Sequence, residues 1–225
     1  MPRSVRFAEL SYARPTDPPV KRWLIRTVEN MSGRERLADL YEFWRSEIFG
    51  KRDDVFTEML NLIEVRLDAG GEWPPTNLPD TPLVLIANHP YGIGDGIAFL
   101  SLAERLGRPF RVIINNDLMK VPEMRPYSLP VSFEETKEAL ALNLKTRQEA
   151  VQLLKEGVTI IIFPSGGVAT APKGLGRAQD LPWKMFVARL VQTARASVIP
   201  VYFEGQNGRV FHLVSQFSLT LRTSL

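Results

Sequence analysis

The 225-residue sequence predicts an α/β fold: a mostly parallel central sheet flanked by helices, with an N-terminal helical extension. Three observations predict it. A short, fully apolar run, "LVLIA" (83–87), has the character of a strand covered on both faces of a parallel sheet, and "RVIIN" (111–115) and "VTIIIF" (158–163) read as further strands. Helical patterns alternate with these runs, the signature of strand–helix–strand units. Glycine-bearing loops, "NHPYGIGDG", "PSGGVATAPKGLGRA" and "EGQNGR", follow strand ends, where such sheets bind ligands.

Residues 1–75 read as a leader and helical segment, and 76–225 as the α/β core. Pro15, Pro18 and Pro19 break the leader. "VKRWLIRTVENMSG" then gathers Trp23, Leu24, Val28 and Met31 on one side and closes at Gly33. "RERLADLYEFWRSEI" repeats the pattern with Leu37, Leu40, Tyr41, Trp44 and Ile48. "DDVFTEMLNLIEVRLDAGG" (53–71) predicts a third helix, acidic in its first turn, with Gly70-Gly71 after its end. A proline-rich linker, "EWPPTNLPDTP", leads into the core. There "DGIAFLSLAERLG" and "LPWKMFVARLVQTAR" predict helices, and "PVSFEETKEALALNLKTRQEAVQLLKEG" one or two more. "SVIPVYFEG" predicts a strand and "RVFHLV" an edge strand.

Composition narrows the function. With no cysteine, disulfides, zinc–thiolate sites and thiol nucleophiles are excluded. A net charge of +3 and a pI near 9.3 suit anionic lipid, phosphorylated ligands or acidic carrier proteins, and no nucleic-acid signature is visible. Mean hydropathy is −0.09, and no run of about 18 apolar residues suggests a membrane span. The N-terminus lacks the apolar stretch of a secretory signal. The expectation is a cytoplasmic protein whose membrane contact, on the inner face of the cytoplasmic membrane, is peripheral.

His89, one of two histidines, follows a strand, and Asp95 follows it by six residues at a helix start. A neutral imidazole can take a proton from an attacking hydroxyl, and a carboxylate fixes its tautomer, an effect on the order of 10²–10⁴-fold in rate. The same spacing also fits a turn histidine beside an N-capping aspartate. Gly92, Gly94 and Gly96 miss the spacing of a dinucleotide fingerprint, and no Gly-Lys-Ser/Thr follows. Ser165, with Asp180 and His212, gives a serine-hydrolase alternative. Against it stand P-S-G-G in place of G-x-S-x-G and a proline- and glycine-rich loop where the helix should begin. Lys120, Arg125, Lys173 and Arg177 lie in or near strand-end loops and could bind phosphate or an acidic carrier, though solvated surface charge is the more common role of any one such residue. "LPVSF", "LMKVP" and "LPWKMF" are candidate apolar walls.

Taken together, "ANHPYGIGDG", "IIIFPSGGVAT" and "VIPVYFEGQNG" resemble the lysophospholipid/glycerolipid acyltransferase superfamily, and most closely its bacterial branch often labelled hemolysin-like. The superfamily's first box is Asn-His, four residues, then Asp. Asn88, His89 and Asp95 match it with five intervening residues, a longer loop that Gly92 and Gly94 are expected to accommodate. Its third box is Phe-Pro-Glu-Gly. Phe163, Pro164 and Gly166 match, Gly167 follows, and Ser165 stands where the glutamate would be. That glutamate helps to position a glycerol-phosphate acceptor, so its replacement points toward acceptors such as lyso-ornithine lipid. Lys120 and Arg125 are the candidates for the second box's phosphate-binding arginine, and Val198, Ile199 and Pro200 match the fourth box. "FHLVSQFSLTLRTSL" stops within a continuing apolar pattern, where members of that superfamily run further.

The resemblance implies a lipid-metabolic O-acyltransferase. A fatty acyl group would pass from acyl-CoA or acyl carrier protein to a lysolipid hydroxyl, with His89 as base and Asp95 as its orienting carboxylate. Backbone amides of "PSGGV" or "GIGDG" would hold the oxyanion. No metal or resident cofactor is expected. A lipid-binding module that has kept the fold without the chemistry is the third reading.

Overall fold

Why each strand sits where it does follows from its apolar pattern. The computed structural model describes residues 18–19, 34–171, 176–208 and 211–212. The leader apart from Pro18 and Pro19, the first predicted helix, Lys173 and the chain beyond His212 lie outside these residues. Among the described residues, five strands form one parallel sheet in the order β3-β2-β4-β1-β5: β1 Leu83–Ala87, β2 Phe110–Asn115, β3 Ser128–Val131, β4 Thr159–Ile162 and β5 Ser197–Val201. The "TIII" of β4, apolar but for Thr159, is central and fully buried. The strands that contain proline, β3 with Pro130 and β5 with Pro200, are the two edges, where a missing N–H leaves no ladder bond unmade.

Five helices complete the described fold: α1 Arg34–Phe43, α2 Val55–Leu62, α3 Ile93–Glu104, α4 Lys137–Lys155 and α5 Met185–Ala194. Alternate residues of β1 serve two cores. Leu83, Leu85 and Ala87 join Trp44, Phe56, Phe99 and Leu102, the side of α1–α3. Val84 joins Ala150, Leu154, Leu190 and Ala194, the side of α4 and α5. The α1–α2 segment is therefore packed on the sheet. Trp44 is buried, and its indole N–H donates to Val55 O at 2.7 Å.

Several boundaries differ from the sequence expectation. The buried side of α1 and its π-helical continuation (Trp44–Ile48) is Ala38, Tyr41, Trp44 and Ile48, which leaves Leu37 half exposed. The third predicted helix stops at Leu62. A Schellman motif ends it, with Val65 N bonded to Leu60 O, Glu64 N to Asn61 O, and Glu64 at φ +60. Arg36 holds the Glu64 carboxylate at 3.0 Å. Pro130 and Val131, expected in a helix, belong to β3, and α4 begins only after the Thr136 hydroxyl caps it by accepting from Ala139 N. Phe211 and His212, expected in an edge strand, are helical, and His212 is buried.

Glu104, at the end of α3, caps α2. Its carboxylate accepts from Phe56 N (2.8 Å), Thr57 N (2.9 Å) and Thr57 Oγ1 (3.0 Å), while Asp54 turns to Arg52 instead. Burial, the largest influence, raises the Glu104 pKa above its ordinary 4.5 despite those donors. The raised value favours the neutral form in the folded chain. Its contribution to stability is complete below pH 4.5 and is lost as pH rises through the raised value. Glu104→Gln should remove that dependence. Glu104→Ala strands two amides and should cost about 1–3 kcal/mol in urea denaturation.

Candidate active site

Two neighbouring strands send the chain to opposite faces of the sheet. From β1 it turns to α3 on one face, and from β4 it runs on to α5 on the other. Such a switch point opens a crevice at the carboxyl ends of the strands. Ile86 pairs with Ile162 at the last register position, so His89 and Phe163 leave the sheet side by side. Their rings stack with centroids 4.0 Å apart and planes at 23°.

The loop after β1 folds back through Gly92, which caps α3 at φ +75, in the left-handed region that favours glycine. Gly94 takes no part in the reversal and sits inside the first turn of α3. The turn brings Asp95, buried in that same helical turn, to His89: Oδ1 lies 2.7 Å from Nδ1, and Oδ2 accepts from Tyr91 N at 2.7 Å. An ionised carboxylate only accepts, so in a neutral imidazole this bond places the ring proton on Nδ1 and leaves the lone pair on Nε2. The imidazole is thus held by a carboxylate at one nitrogen and by Phe163 at one face, itself set edge-on against Phe99.

The rest of the first box is structural in its contacts. Asn88 Nδ2 donates to Phe203 O (2.8 Å) and Asn88 Oδ1 accepts from Phe203 N (2.7 Å), which continues the β1–β5 pairing past the strand ends. Ser165 is fully buried, and its hydroxyl donates to Gly167 O at 2.9 Å. Gly166 N closes a turn onto Phe163 O, and Gly166, at φ +67, is packed so closely by Phe133 that a Cβ would press on its ring. Pro164 O accepts from Lys184 N. The structure thus gathers Asn88, His89, Gly92, Asp95 and the 163–167 turn at adjacent strand ends. Lys120 and Arg125 are exposed on the two 3₁₀ turns joining β2 to β3, beyond β4, where Arg125 Nε donates to Met119 O.

The hydrolase trio does not assemble as a relay. Asp180 accepts from His89 N (3.1 Å) and from Trp183 Nε1 (3.1 Å), and the His212 ring accepts from Ala171 N. Two contributors escaped sequence reading. Asp180 was weighed only as a triad member. Gly205, at φ +101, lies where any Cβ would collide with the Tyr91 hydroxyl, which donates to Glu204 O at 2.9 Å. Its position in "EGQNG" was the available signal.

A family model described as "Acyltransferase" matches residues 11–224, and the chain belongs to that acyltransferase family. No curated protein matches the sequence. Among the described residues, no helix is long and apolar enough to cross a membrane.

Asn88→Ala removes both bonds to Phe203 and leaves its backbone groups to find other partners. The expected loss is about 1–3 kcal/mol of stability, read as a lowered denaturation midpoint.

Proposed function

We propose that the protein is an O-acyltransferase of the lysophospholipid/glycerolipid type, which moves a fatty acyl group from an acyl thioester to the hydroxyl of a lysolipid. Membership of the acyltransferase family supports acyl transfer. The observation that carries the mechanism is the 2.7 Å bond between His89 Nδ1 and Asp95 Oδ1, which leaves Nε2 as the basic nitrogen.

In this reading His89 Nε2 takes the acceptor's hydroxyl proton as the oxygen attacks the thioester carbonyl carbon. A tetrahedral oxyanion forms and then collapses. The C–S bond breaks, and the departing sulfur receives the proton from Nε2. The products are an ester and a free thiol, and Asp95 stays ionised throughout, stabilising the transient imidazolium. The donor is acyl-CoA or acyl carrier protein. The buried Ser165 in place of the third-box glutamate favours an acceptor that lacks a phosphate, such as lyso-ornithine lipid. The acyl chain, at roughly 0.8 kcal/mol per buried methylene, supplies much of the binding free energy. The enzyme works at the bilayer surface as a peripheral protein.

The test is thiol release and lipid product from acyl-CoA or acyl carrier protein with a panel of lysolipids. His89→Ala should lower the rate by about 10²–10⁴-fold. Ser165→Ala should keep most of it, because that hydroxyl donates to Gly167 O. Activity that survives His89→Ala and vanishes with Ser165→Ala would overturn the reading in favour of a serine hydrolase. Lipid binding without turnover would favour a non-catalytic module.

A further inference from the structure

His89 is fixed at its ring by Asp95 and Phe163, and its backbone is fixed as well. Its carbonyl accepts from Ala169 N at 2.7 Å, and its N–H donates to Asp180 Oδ1 at 3.1 Å. Asp180 lies 91 residues away, on the long connection from β4 to α5. We propose that Asp180 is a positioning residue for acyl transfer: its carboxylate sets the backbone of His89, and through it the aim of Nε2. The inference rests on His89 as the base.

The described parts of the connection that bears Asp180 are bonded to their neighbours at several points. Thr170 and Gln179 exchange both backbone bonds at 3.1 Å. Gln206, from the loop after β5, accepts from Ala178 N (2.7 Å) and donates to Gly176 O (3.0 Å). Lys184 N reaches Pro164 O at 3.0 Å. The second carboxylate oxygen of Asp180 holds the indole N–H of Trp183 at 3.1 Å. Asp180 thus offers one carboxylate oxygen to each of two donors. A backbone amide bonded to a carboxylate is among the stronger hydrogen bonds, and a base must hold its geometry closely, since a misplacement of about 1 Å can cost on the order of 10²-fold in rate.

The substitutions separate positioning from general structure. Asp180→Ala removes both acceptors and should lower kcat by about 10- to 100-fold with the thioester KM unchanged. Asp180→Asn keeps one acceptor oxygen for two donors and should fall between wild type and alanine. Trp183→Phe removes the other donor and leaves the His89 clamp in place, so it is compared with Asp180→Ala through the state of the His89 ring and not through turnover. The second readout is the Nδ1–H proton resonance of His89, resolved among only two histidines. It should shift or broaden in Asp180→Ala and persist in Trp183→Phe. An unchanged resonance and kcat in folded Asp180→Ala would overturn the inference even with His89→Ala inactive. The resonance does not depend on turnover, so failure of the acyl-transfer reading is seen separately, as an inactive wild type with the resonance result intact.

Discussion

The site depends on the opposite departures of the chain from two neighbouring parallel strands. Because β1 leads to α3 on one face and β4 runs on to α5 on the other, the two described helices that follow these strands diverge and leave a gap between the carboxyl ends. The β1–β4 register then decides what meets in that gap. With Ile86 opposite Ile162, His89 and Phe163 emerge together and stack. A one-residue slip would turn each of these side chains to the other face. The two strands divide their residues between two cores, Leu83, Leu85 and Ile161 on one side and Val84, Ile160 and Ile162 on the other, so a slip would exchange the side chains that each core receives.

Around that gap, three strand-end loops support one another by polar bonds that each satisfy a backbone group. Asn88 extends the pairing of β1 to Phe203, and Tyr91 reaches Glu204 O. Gln206 supports the connection that bears Asp180, and Asp180 supports His89. Backbone amides and carbonyls that leave a sheet must find such partners or water. Here the partners come largely from the neighbouring loops, so the histidine at their centre is held more firmly than its place in a glycine-rich stretch suggests. The stacked Phe163 adds an apolar wall against one face of the imidazole.

The α/β class and four of the five described strands were legible in the sequence: β1 and β4 as short, mainly apolar runs buried in the sheet, β2 and β5 as apolar stretches that alternate with helical patterns. β3 was not, since "SLPV" carries a proline and runs into a helical pattern. Only its place at the sheet edge makes a strand of it. The early end of α2 was hidden because its left-handed cap is Glu64, while Gly70-Gly71 offered a more ordinary stop. At the site, the spacing from His89 to Asp95 identified a candidate pair, and Gly92 alone makes the reversal that closes it. Asp180 was invisible as a partner of His89, because a contact between residues 91 apart is a product of the fold and leaves no local pattern.

The central claim is direct transfer from thioester to acceptor, with His89 as base and the protein never carrying the acyl group. Intact-mass measurement of the protein incubated with acyl thioester, first without and then with a lysolipid, tests it most directly. Direct transfer predicts an unchanged protein mass in both cases and thiol release only when the acceptor is present. A protein heavier by one acyl group, with the adduct mapping to Ser165, would contradict it.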